Sequence, residues 1–182
     1  MQPVEGSGGR FRVVGVDPGS SVTGFGVVEL CDGRLRHVAS GRIAAGLDGP
    51  LPERLRVIHE SLGELLREVR ADAVAVESLF YARNVRSALV LAHSRGVVLL
   101  AAAEAGLPAA EYSPMEVKRA TVGYGRAAKE QVQAMVARLL ALADLPPPDA
   151  ADALGVAICH VHQVGLGAAV AAAGARPPWT MR

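Results

Sequence analysis

From Phe11 the chain alternates briefly and then runs apolar through Val13-Val14-Gly15-Val16 into Asp17. An uninterrupted apolar run of this length predicts a strand buried on both faces, the pattern of a central position in a sheet. Gly24 to Leu30 predicts a second strand. Asp32-Gly33 is a hairpin signal leading into a third, Arg34 to Ile43. After a loop over Gly46–Pro52, the residues Leu55, Ile58, Leu62, Leu65, Leu66 and Val69 fall on one side of a helix spanning Glu53 to Arg70. Ala73 to Glu77 is a short apolar strand, and Asn84 to Ala105 a long helix of Leu, Val and Ala. Leu107 to Tyr112 gives a fifth strand. Pro114 opens a helix as its first residue and Gly123 closes it. A further helix is expected over Ala128–Leu142, and a last one from Asp149, after Pro146-Pro147-Pro148, to about Val164.

The order β-β-β-α-β-α-β-α-α-α predicts an α/β fold: a five-stranded mixed sheet, its first strands joined by hairpins and its later ones by helices, with helices on both faces. One domain over residues 10–165 accounts for the whole pattern. Residues 1–9 and 166–182 lack periodicity and are expected to be disordered tails.

Composition narrows the setting. Two cysteines, Cys31 and Cys159, are too few for a disulfide framework, which suits a reducing cytoplasm. Met1 to Arg10 has no apolar stretch of the signal-peptide kind, and the apolar run Val97 to Ala103 is too short to span a bilayer. A cytoplasmic protein with no membrane partner is therefore expected. Net charge is only +1, but it is unevenly spread. Residues 1–82 hold nine Lys/Arg against eleven Asp/Glu, whereas residues 83–138 hold eight against four. A basic middle suits a polyanionic partner, although a solvated helix face has the same composition.

Four carboxylates sit where apolar neighbours make a charge expensive. Asp17 and Glu77 each terminate an apolar strand, and α/β sheets place ligands at such strand ends. Asp149 and Asp152 are spaced to share one helix face. Capping would account for either of these two, but not for Asp17 or Glu77. Brought together, four negative charges need about two divalent cations, the charge balance of a two-metal phosphoryl-transfer site.

Val14-Gly-Val-Asp-Pro-Gly19 with Thr23-Gly-Phe-Gly26, Ala75-Val-Glu-Ser-Leu-Phe80, Val122-Gly-Tyr-Gly-Arg-Ala-Ala-Lys129 and Asp149-Ala-Ala-Asp-Ala-Leu154 resemble, in order and interval, the RuvC family of Holliday junction resolvases. The resemblance covers residues 11–163. It implies an RNase H-like fold and a homodimeric endonuclease that resolves four-way DNA junctions with two Mg²⁺ per site (Mn²⁺ a plausible substitute). Asp17, Glu77, Asp149 and Asp152 fall on the family's acidic positions. Phe80 matches its base-stacking aromatic, and Lys118 and Lys129 match lysines that contact DNA or offset phosphate charge. Arg119 and Arg126 are assigned to phosphate contacts. The resemblance also implies branch-migration motor subunits, of the RuvA and RuvB type, as partners. The helix over Ser87–Ala103 is the expected dimer contact.

Other readings have weaker support. Cys159, His160 and His162 lack zinc spacing. Gly15, Gly19, Gly24 and Gly26 lack the Lys of a nucleotide loop. Actin-like and sugar-kinase folds begin similarly but use two domains. An RNA-directed nuclease of the same fold and a catalytically silent junction binder complete the alternatives.

Overall fold

Val13, Val14 and Val16 are wholly buried, and the strand that carries them is β1 (Phe11–Asp17). In the computed structural model, which describes residues 10–46, 49–78 and 84–172, β1 pairs on one side with β2 (Val22–Cys31), antiparallel, and on the other with β4 (Ala73–Glu77), parallel. Outside these lie β3 (Arg34–Ala44) and β5 (Ala109–Tyr112), giving the order β3-β2-β1-β4-β5. The mixed sheet is as expected. Its central strands are those with continuous apolar runs, because only they are covered on both faces. The β2–β3 hairpin turns at Asp32 and Gly33, both with positive φ (51° and 72°), the backbone that Asp-Gly turns adopt.

One face of the sheet carries α1 (Leu51–Glu68) and α2 (Val85–Glu104), with Ile58, Leu62 and Leu66 packed against Val14, Val16, Val74 and Val76. The other carries α3 (Pro114–Val122), α4 (Lys129–Leu139) and α5 (Pro148–Ala172). There Leu154, Ala157 and Ile158 meet Val13, Val28 and Ala75. Alternate residues of β1 thus serve two separate cores. Two cysteines are free, as expected.

Three expectations need correction. First, α5 does not end near Val164 but continues to Ala172. Its Ala-rich continuation has high helix propensity, and a formed helix propagates through Gly165 and Gly167. Residues 166–172 are therefore helical rather than part of a tail, while residues 1–9 and 173–182 lie outside the described residues. Second, α5 begins at Pro148, one residue before the expected start, so Asp149 stands inside its first turn. Third, the apolar stretch around Val97 is part of a longer one. Among the described residues, α2 is long and apolar enough to cross a membrane, though it is less than a quarter buried. It carries Arg86 and Arg95, and it packs one stripe (Ser94, Val98, Ala101 and Ala102) against the fold.

Candidate active site

Asp17 and Glu77 are the residues that follow the register pair Val16–Val76 of the parallel strands β1 and β4. Parallel pairing of two strands that each end in an acid puts both carboxylates at one edge of the sheet. Asp17 lies on the β1 face shared with Val13 and Gly15, the face that α5 covers. The Pro18-Gly19 turn beyond it is pinned by Thr23, which is fully buried and whose Oγ1 donates to the Gly19 carbonyl at 2.7 Å.

Glycines bring α5 to these strands. A Cβ at Gly15 would lie 2.1 Å from the Ala153 carbonyl oxygen; one at Gly24 would lie 2.2 Å from that of Asp149; one at Gly26 would lie 2.6 Å from the Leu154 nitrogen. The helix therefore rests directly on the backbone of β1 and β2, an approach that only side-chain-free positions allow. That seat delivers Asp149 and Asp152 to Asp17. The role of these glycines as the bed of α5 was missed in the sequence. The signal lay in their alternation across two paired strands.

The charges respond to their crowding. Burial, then the nearby Asp17 and Asp152 carboxylates, pushes Glu77 up to about 8 from 4.5, and its protonated carboxyl donates to Asp17. Burial and Asp152 also raise Asp17, while the Glu77 hydrogen bond draws it back. Lys129, the first residue of α4, donates from Nζ to Asp152 Oδ2 at 3.0 Å, which raises its own pKa. Arg42 of β3, not anticipated from the sequence, stands with Nη1 3.8 Å from Asp149 Oδ2.

Asp17, Glu77, Asp149, Asp152 and Lys129 are thus brought into one neighbourhood. Among the described residues no three acidic, imidazole or thiol groups already converge as a ready ligand set; Asp152 pairs with Lys129 and Asp149 faces Arg42. The donor set itself, four carboxylates and no sulfur or imidazole, fits a hard cation such as Mg²⁺. Lys118 and Arg119 lie on α3, which starts beside Glu77: Ser78 N–H donates to the Tyr112 carbonyl at 2.8 Å, and Ser113 and Glu116 form the capping box that opens the helix. Arg126 is exposed in the α3–α4 connection. None of these three shares a hydrogen bond or ion pair with the acids among the described residues. Phe80 lies outside the described residues. His160 bonds the Tyr112 hydroxyl at 2.9 Å and His162 faces the Ala120 carbonyl at 3.1 Å, uses consistent with packing rather than zinc.

The raised Glu77 has a consequence for stability. Between pH 4.5 and about 8 the folded chain holds a proton that the unfolded chain releases, so stability falls as pH rises through that window. In chelator, Tm is expected to drop on the order of 5 °C from pH 5 to 9. Glu77→Gln should flatten that slope. An unchanged slope in differential scanning calorimetry would contradict the buried, protonated state.

A sequence profile described as crossover junction endodeoxyribonuclease RuvC matches residues 13–160. The curated crossover junction endodeoxyribonuclease RuvC of Syntrophotalea carbinolica is 50% identical over 152 residues, covering 84% of this chain and 94% of that one. Its counterpart from Alkalilimnicola ehrlichii is 50% identical over 164 residues, covering 90% and 99%. Among solved structures, Thermus thermophilus RuvC in complex with Holliday junction substrate superposes with a TM-score of 0.82 at 38% identity, covering 87% of this chain and 97% of that one. The yeast mitochondrial Holliday junction resolvase Ydc2, at 13% identity and a TM-score of 0.63 over 90% of this chain and 84% of that one, shares the fold.

Proposed function

Because the chain belongs to the RuvC family of crossover junction endodeoxyribonucleases, we propose that the acids around Asp17 hydrolyse phosphodiesters of four-way DNA junctions. The products are paired, symmetric nicks with 5′-phosphate and 3′-hydroxyl ends. The observation that carries this reading is the meeting of acids from β1, β4 and α5 at one sheet edge, with Lys129 against them.

Asp17, Glu77, Asp149 and Asp152 would hold two Mg²⁺. Bound there, the metal supplies Lewis-acid stabilisation to the attacking and leaving oxygens. Glu77 must be deprotonated to ligate, so metal loading would strengthen as pH rises. The Lys129 ammonium, already at the acids, offsets charge that grows on the phosphate in the transition state. Lys118, Arg119 and Arg126 extend the positive surface for the DNA arms, and Phe80 stacks on bases at the branch point.

Two symmetric nicks call for two sites, and α2 offers the face for a second copy. Val85, Leu89 and Leu100 are 77%, 56% and 51% exposed, and Leu89 and Leu100 border a shallow apolar depression with Leu55, Ala92, Gly96 and Val97. Apolar exposure on this scale favours a protein partner over water. Leu89→Asp should halve the mass in light scattering and convert paired nicks to single ones; a dimer that persists would place the contact elsewhere. Branch-migration motor subunits and a cytoplasmic setting follow from the family reading.

The test is cleavage of a mobile synthetic four-way junction in Mg²⁺ beside a linear duplex and a structured RNA. Symmetric nicks confined to the junction support the proposal. Preference for the RNA would redirect it to an RNA-processing role on the same fold.

A further inference from the structure

We propose that Arg42 grips a backbone phosphate beside the one being cut, and that the face of β3 around it is a track for the DNA strand. This inference rests on the junction-cleaving reading. Arg42 pairs in register with Gly24, whose missing side chain lets the Asp149 backbone rest on β2. Its guanidinium therefore shares the sheet face of α5 and meets the acids from the β3 side, whereas Lys129 meets them from α4.

The contact with Asp149 does not occupy Arg42. At 3.8 Å, with the two side chains 57% and 44% exposed, it is a loose, solvated pair of little net worth. A phosphate offers the planar guanidinium two oxygens at once, which a single distant carboxylate oxygen does not. Ser40 and His37 lie on the same face, opposite Gly26 and Val28, with His37 Nε2 2.9 Å from Ser40 Oγ. Alternate residues of a strand stand ~7 Å apart, so the edge strand presents hydrogen-bonding groups in a row that leads to the acids. His37 and Arg42 are exposed and Ser40 is half-buried, and β3 is the terminal strand of the sheet among the described residues.

Arg42→Ala is expected to fold normally, with Tm within ~2 °C of the parent, because the side chain is exposed. It should bind the four-way junction about tenfold more weakly. The slope of log K against log salt should lessen by about one. Arg42→Lys should restore the slope and only part of the affinity. Single methylphosphonates placed in turn at phosphates flanking the mapped cut give the decisive comparison. At one position the parent should fall to the affinity of Arg42→Ala, while Arg42→Ala itself loses nothing further. Equal salt slopes for parent and Arg42→Ala, or no such position, overturn the proposal. A parent chain that leaves the junction uncut would instead refute the underlying reading, which the salt-slope comparison does not use.

Discussion

Asp17→Asn yields a protein that binds four-way junctions at least as tightly as the parent and cuts them at least ~10³-fold more slowly. Asp17 is the acid that the others surround. It accepts a hydrogen bond from the Glu77 carboxyl, and its own pKa is raised by burial and then by Asp152. Replacing its carboxylate by an amide keeps the volume, so β1 and the Pro18-Gly19 turn are undisturbed. It removes one of the negative charges that would repel phosphate, which accounts for retained or improved binding. It also removes the ligand position nearest the centre of the donor set, so metal-assisted chemistry loses its anchor. Single-turnover cleavage with saturating enzyme separates the two effects. Residual cleavage within tenfold of the parent, or loss of binding, would show that Asp17 is not at the centre of the chemistry.

Gly15→Ala is expected to lower Tm by about 10 °C and to remove most of the activity with it. The added Cβ would stand 2.1 Å from the Ala153 carbonyl oxygen and 2.6 Å from the Ala157 nitrogen. Both are backbone atoms of α5, so no rotamer change relieves the clash and the whole helix must lift. Overpacking of this kind costs about 3 kcal/mol, and each kcal/mol is worth ~2–4 °C in a chain of this size. Because α5 carries Asp149 and Asp152, the displacement that relieves the clash also withdraws two acids from Asp17. Gly63→Ala is the control: it lies in α1 with nothing within 4 Å of the new Cβ, and it should stabilise by up to ~1 kcal/mol. Similar losses at both glycines would mean that the bed of α5 is not the cause.

What could be read beforehand follows from how local each signal is. Val13 to Val16 and Ala73 to Val76 announce buried strands by their composition alone, and the acids that end them stand out against it. Asp32-Gly33 and Pro114 to Gly123 carry their own turn and cap chemistry. Arg42 gave no such signal, because its meaning comes from Asp149, which the fold brings over from far along the chain. Gly15, Gly24 and Gly26 were visible but ambiguous: only the placement of α5 distinguishes a helix bed from a flexible loop. The end of α5 was not legible because residues 166–172 carry no amphipathic period; Gly165 and Gly167 cost a helix only ~1 kcal/mol each beside Ala.

The seating of α5 on the middle of the sheet also ties competence to the order of synthesis. The strands that carry Asp17 and Glu77 leave the ribosome early, whereas Asp149 and Asp152 lie in α5, the last of the described helices. A nascent or truncated chain that stops before Pro148 can align its strands but holds only half of the acids. The domain therefore gathers its full set of four acids only after the segment from Pro148 onward has been made and has docked on the sheet.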